Sequence, residues 1–178
     1  MTFLQRAIGA ARLSTAAFEE VEADRGATGQ ALTMVVLSST AAGIGLSSNV
    51  YDGPVLTLIA LALLLWVLWA ALTYAIGAHL IPERQTRADV GELLRTIGFA
   101  ASPGVLRAIG FVPGIGPTLY ALATVWMLVA MVIAIRQALD YTSTARAAAV
   151  CLVGGVIAMA MTAAIGGLVL SLIEELFS

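Results

Sequence analysis

The sequence predicts an all-α polytopic membrane protein: five transmembrane helices behind an N-terminal amphipathic surface helix. Three observations predict it. Hydrophobic residues make up 60% of the 178 residues and charged residues only 11%, against roughly 45–50% and roughly 25% in soluble domains. Mean hydropathy is +0.97. The charges are also gathered, so that residues 26–51, 53–82, 108–135 and 147–173 carry none. A helix needs about 20 apolar residues to cross the hydrocarbon core.

Residues 3–24 come first. Phe3, Leu4, Ala7, Ile8, Ala11, Phe18 and Val21 recur near helical spacing. Gln5, Arg6, Arg12, Glu19, Glu20 and Glu22 fall on the other face. The pattern predicts one amphipathic helix on the cytoplasmic surface. Residues 1–25 form this segment and residues 26–178 the membrane domain. The acidic second half disfavours attraction to anionic lipid and suits packing on the protein's own loops or on a partner.

The spans are expected at about 28–49, 54–80, 93–112, 117–136 and 147–173. The third is the exception, because it holds Arg95, Pro103 and Arg107. Thr86 is its expected N-cap, with Asp89 imitating a capping box. Pro103 either kinks the helix or breaks it near Ser102 into two halves. Gly110–Pro117 reads as a turn-rich connection, with Pro117 in the first turn of the next helix.

All nine basic residues are Arg. With five spans and the N-terminus inside, eight of them face the cytoplasm and only Arg107 faces out. With four spans, Arg136 and Arg146 move out and the division becomes seven to two. Cytoplasmic flanks carry the Lys/Arg excess, so the count favours five spans and an external Ser178. The absence of Lys beside abundant Ala and Gly points to a GC-rich bacterial genome, hence to an inner membrane.

The inventory of chemical groups is short. A net charge of −2 gives no basic footprint for nucleic acid. One Cys and one His provide no Cys- or His-based metal cluster, so no metal or cofactor is expected. His79 is the one weak candidate ligand for a heme or chlorophyll-type group, but it falls beside Pro82, Glu83 and Arg84. Cys151 reads as a small buried apolar residue. Asp52, Glu83, Asp89, Glu92, Asp140, Glu174 and Glu175 all fall at segment ends, whereas ion or proton transport places carboxylates at mid-depth. Ser38, Ser39 and Thr40 lack a His or Lys to activate them and suit hydrogen bonds across helices. The chain is therefore expected not to be an enzyme.

Groups suited to contact are plentiful. Gly154, Ala158, Thr162 and Gly166 form a stripe, four residues apart, on the last span. Small residues let helix backbones approach closely. The stripe serves either packing within the bundle, with Ala41, Ala42, Gly43 and Gly45 as a mate, or a homo-oligomer or partner helix. Trp66 and Trp69 fall near mid-span, as does Trp126, rather than in an interfacial belt. Such Trp residues serve bundle packing or a groove for lipid or a pigment.

Several motifs carry a family likeness: Phe18–Asp24 followed by Gly26–Ala31, Tyr51-Asp52-Gly53-Pro54, Gly98-Phe-Ala-Ala-Ser-Pro103, and the run from Trp126 to Arg136. In these the chain resembles the Yip1 domain family, whose bacterial members form an uncharacterised subgroup. The likeness covers nearly the whole chain, with an Asp inserted into the Tyr-Gly-Pro element. It implies five transmembrane helices and a cytoplasmic N-terminus. Eukaryotic relatives bind prenylated Rab-type GTPases in vesicle traffic. That role is not expected to carry over: no counterpart of their long cytoplasmic N-terminal region is expected here, and a bacterium has no such vesicle pathway. The expected function is a non-enzymatic scaffold, adaptor or accessory subunit binding other membrane proteins or lipids. A transporter or channel for a lipid or small neutral solute is the alternative, with Ser38, Ser39, Thr40, Thr73 and Tyr74 as its polar path.

Overall fold

The computed structural model describes residues 1–46 and 55–177. The Tyr51-Asp52-Gly53-Pro54 element lies outside the described residues. Within them, all regular structure is helical.

The N-terminal segment forms two helices where the sequence pattern predicts one. Helix α1 (Phe3–Ala11) starts at Thr2, whose side chain forms a reciprocal capping box with Gln5. Helix α2 (Thr15–Ala23) starts at Ser14. Between them Leu13 takes φ 61° and reverses the chain. The apolar period continues through this break, which is why periodicity does not reveal it. The hairpin closes around Arg6, only 3% exposed. Its guanidinium donates to both carboxylate oxygens of Glu20, to Asp24 and to Gln30 Oε1. The Arg6 guanidinium and the N-terminal ammonium hold the Glu20 carboxyl down at about 2. Arg6 thus faces α2, while Leu4 and Ile8 are exposed.

A 3-10 turn at Arg25–Ala27 leads into helix α3 (Thr28–Leu46). Helix α4 (Val55–Tyr74) ends in a π-helical turn over Ala75–Leu80. Helix α5 (Val90–Ala100) is capped by Asp89, with Glu92 reciprocating. Thr86 is not the cap, as the spacing suggests; its hydroxyl accepts from Glu83 N–H in the preceding loop. The α-helix stops at Ala101, and Ser102–Phe111 continues as a 3-10 helix with Pro103 in its first turn. Pro103 has no N–H to give to an α-helical ladder, so the third segment is broken where the sequence places the break. Helix α6 (Gly116–Ala138) has Pro117 in its first turn, and helix α7 (Thr144–Phe177) follows.

Among the described residues, four helices are long and apolar enough to cross a membrane: Arg25–Gly45, Ile59–Leu80, Gly116–Ala138 and Thr144–Leu168. The α5/3-10 pair is not among them, since neither half has the length.

Close pairings of the 3-10 segment with α3 and with α6, and of α4 with α7, organise the bundle. The α5/3-10 segment runs alongside α3, and small residues mark the line of contact. A methyl group added at Gly98 would lie 2.7 Å from Ala31 Cβ. One added at Gly104 would overlap Ser38 Oγ, and one at Gly45 would overlap the Arg107 carbonyl oxygen. Gly110 rests on Gly45. The small residues of α3 therefore serve this pairing and not α7. Helix α7 packs on α4 instead. Stripes of small residues permit close approach but do not name the mate.

The cores of these pairings meet around Trp66, Trp69, Ile97, Phe99, Met131 and Ile135, all buried. One end of the bundle is fastened by polar contacts. Glu83 accepts from Thr142 N–H and hydroxyl, Ser143 N–H and Gln85. These bonds, led by the Thr142 N–H, lower its carboxyl to about 2. Tyr141 donates its hydroxyl to the carbonyls of Gly77 and Ile81, 2.8 and 2.9 Å away. The loop after α4 is thereby tied to the α6–α7 turn.

Candidate functional site

A cavity of about 210 Å³ opens between α3, α4, the α5/3-10 segment and α6. Trp66, Trp69, Leu65, Ile97, Met127 and Met131 form most of its apolar wall; Ser38, Ser39 and Arg107 supply the polar part. The sequence puts both indoles at mid-span, and their helix turns them to the bundle interior. Each is 8% exposed and each finds a backbone acceptor. Trp66 Nε1 donates to Leu94 O at 3.0 Å and Trp69 Nε1 to Cys151 O at 3.1 Å. A buried indole N–H needs such a partner, and these two bonds fix the rings against α5 and α7.

Ser39 donates back to Val35 O, whereas Ser38 receives Arg107 Nη2 at 2.8 Å from its Oγ and 3.1 Å from its carbonyl. Arg107 Nε donates to Gly104 O at 3.1 Å, and the guanidinium lies 5.8 Å from the Tyr120 ring centre. Among the described residues no carboxylate pairs with it. Sequence reasoning missed this residue as a site group because it served only as a topological charge. The signal was present: an Arg inside a membrane-length window, three residues after a glycine.

The other residues singled out from sequence fall in different places. Gly154, Ala158 and Thr162 are buried on α7 and Gly166 is half-buried. Gly154 faces Thr73 and Trp69, and Gly166 faces Leu61, so the stripe is the inner face of α7. The hydroxyls of Thr73 and Thr162 have no hydrogen-bond partner among the described residues. His79 is exposed in the π-helical turn, its ring edge-on to Tyr74 at 4.8 Å. No group of three or more His, Cys, Asp or Glu suited to a metal occurs among the described residues. Of the polar path expected for a transporter, only Ser38 and Ser39 line the cavity. Thr73 faces α7 and Tyr74 faces His79. Gly98 and Pro103 are buried along α3 and do not contribute to the cavity wall. Trp126 is 42% exposed and donates to Ala11 O at 2.9 Å, fastening α1 to α6.

The sequence model of the Yip1 domain matches residues 12–165. The chain belongs to the Yip1 domain family. Neither a curated protein nor a solved structure matches it. The Yip1 match takes in α2 and the entire cavity wall.

A second, polar cleft of about 580 Å³ separates α2 from the α6–α7 turn of this Yip1 domain, with Glu19, Gln85, Arg136, Gln137 and Asp140 on its walls. Helix α2 is held there by Arg95, which donates to Val21 O at 3.2 Å and Glu22 O at 2.6 Å. Burial, together with Glu92, Asp140 and Glu19 nearby, pushes the Glu22 carboxyl up from 4.5 to about 7, against the opposing pull of Arg95. A raised carboxyl disfavours the ionised folded state, so stability falls as pH rises through 4.5 to 7. Glu22→Gln is expected to leave stability unchanged below that window. Above it the variant should gain about 1 kcal/mol, discounted for partial exposure. Thermal unfolding in detergent at pH 4 and pH 8 checks the sign; equal gains at both would contradict the assignment.

Proposed function

We propose that this Yip1 domain works by contact and not by catalysis, as a scaffold, adaptor or accessory subunit that holds other membrane proteins or lipid. The observation that carries the reading is the outward face of α6 and α7. Leu122, Val125, Val129, Leu152, Val156 and Met159 are all exposed there and all apolar. Trp66, Trp69, Arg95 and Arg107 each bond across helices within the bundle, which leaves these apolar faces for neighbours in the bilayer. The N-terminal hairpin adds Leu4 and Ile8 as a further apolar contact at its edge.

The same reading places the protein in a bacterial inner membrane with the N-terminus cytoplasmic and Ser178 outside. Its support is the eight-to-one division of Arg and the course of the α5/3-10 segment, which follows α3 from Ala31 to Gly45. Eleven α-helical and ten 3-10 residues extend about 36 Å at 1.5 and 2.0 Å per residue, enough for a fifth crossing. Reporter fusions at the two ends should read opposite sides; the same side would restore four crossings.

The functional test is photocrosslinking in intact membranes from Val125, Val156 and Leu4, with a probe at buried Ala134 as control. A discrete, saturable protein adduct from one outer face is expected. Lipid adducts alone from all three would defeat the adaptor form of the reading and leave lipid holding; a small-molecule conversion lost on replacing one polar residue with assembly intact would defeat the contact reading altogether. The cavity favours a second reading, a carrier for a lipid or small neutral solute. That reading requires Ser38 and Ser39 to be reachable by solvent from both sides of the membrane in a Cys-accessibility scan.

A further inference from the structure

Arg107 points the wrong way for a charged residue in a membrane segment. Its carbonyl oxygen lies against Gly45, at the far end of α3. Its guanidinium lies at Ser38, seven residues back along the helix, a displacement on the order of 10 Å. Long basic side chains near a span end normally extend toward the headgroups. This one extends into the bundle and lines the apolar cavity of Trp66, Trp69, Met127 and Met131.

The site is also incomplete in charge and in hydrogen bonds. A guanidinium carries five N–H donors. Nε is used on Gly104 O and Nη2 on Ser38, and the Tyr120 side chain stands beside the guanidinium, but no carboxylate among the described residues balances its charge. Ser38 Oγ accepts from Arg107 and donates to no described group. A cation held away from water without a counter-charge costs free energy, and an anion entering the cavity removes that cost.

We infer that the cavity binds the head end of a long-chain fatty acid, its carboxylate on Arg107 Nη1 and the first part of its chain across Trp66, Trp69 and the two methionines. The inference rests on the contact reading above and names the lipid that the bundle holds. A planar carboxylate matches the guanidinium edge, and its second oxygen can take the Ser38 hydroxyl proton. A phosphate brings further charged oxygens, for which the remaining apolar wall has no donors. The charge therefore selects the headgroup, and the tryptophan and methionine wall accepts the chain.

The test uses the full chain in detergent at pH 8, in a Trp126→Phe background so that Trp66 and Trp69 alone emit. Dibromostearate and dibromostearyl alcohol share one quenching chain and differ in charge. The acid is expected to quench saturably, at a half-quenching concentration about tenfold or more below that of the alcohol, as a charged hydrogen bond requires. Arg107→Gln should bring the acid to the alcohol's value, and Arg107→Lys should leave part of the preference. Equal quenching by acid and alcohol in the Trp126→Phe protein overturns the proposal without any change at Arg107. So does a preference that survives in Arg107→Gln. Neither result touches protein adducts from Val125 or Val156, so the adaptor reading stands or falls separately.

Discussion

Gly45→Ala is expected to be among the most damaging single methyls that can be added to this protein. The new carbon would overlap the Arg107 carbonyl oxygen and come within 3.1 Å of the Tyr120 ring. Both the glycine and its obstacle are backbone, so no rotamer change relieves the clash. Helix α3 and the 3-10 segment must separate along the line from Ala31–Gly98 to Gly45–Gly110. Overpacking typically costs about 1–3 kcal/mol, occasionally more, and a loss at or above the upper end is expected. Gly29→Ala is the control, since nothing lies within 4 Å of its added methyl. The measurement is the unfolding midpoint in detergent for both variants. Similar midpoints would mean that α3 and the 3-10 segment do not touch where the structure joins them.

Trp69→Ala is expected to rank next, at about 3–5 kcal/mol. The indole does three things at once. It fills one wall of the cavity, it lies over Gly155 with Cζ2 2.7 Å from where a β-carbon would sit, and it donates to Cys151 O. Its removal enlarges the cavity and takes away the main spacer between α4 and α7. Trp69→Phe keeps the spacer and loses only the hydrogen bond, with an expected cost of about 1 kcal/mol. If the two variants lose equal stability, the ring is not a packing element. Leu168→Ile, on the exposed face of α7, should change little beside either.

The long helices were legible from composition because the bilayer imposes a length, and charge-free windows report it. Their ends follow the expected spans within a few residues; α7 reaches three residues further back, to Thr144, and four further on, to Phe177. The break near Pro103 was legible because a missing N–H is a local fact. The turn at Leu13 was not, because its positive φ falls on a leucine and is held by the hairpin around Arg6, a contact made at a distance of fourteen residues and more. The cap at Asp89 illustrates a choice between two adequate residues: Thr86 and Asp89 both suit an N-cap, and Glu92 decides by reaching back to the Asp89 N–H. Trp66 and Trp69 announced a groove or a core and are part of both. The direction of Arg107 was not readable, since sequence gives a charge its place along the chain and not the way its side chain lies.

The broken third segment has a consequence for how the protein is made. In the five-crossing arrangement, Val90–Phe111 carries Arg95 and Arg107 and has no uninterrupted apolar helix of spanning length. Such a stretch is poorly recognised on its own by machinery that sorts segments into the bilayer by hydrophobicity. Its seat consists of α3 on one side and α6 on the other, and α6 emerges only after it. If it is a crossing, the segment would be expected to settle only after α6 is made. Truncation before Gly116 would leave that stretch without its second wall and open to quality-control proteases.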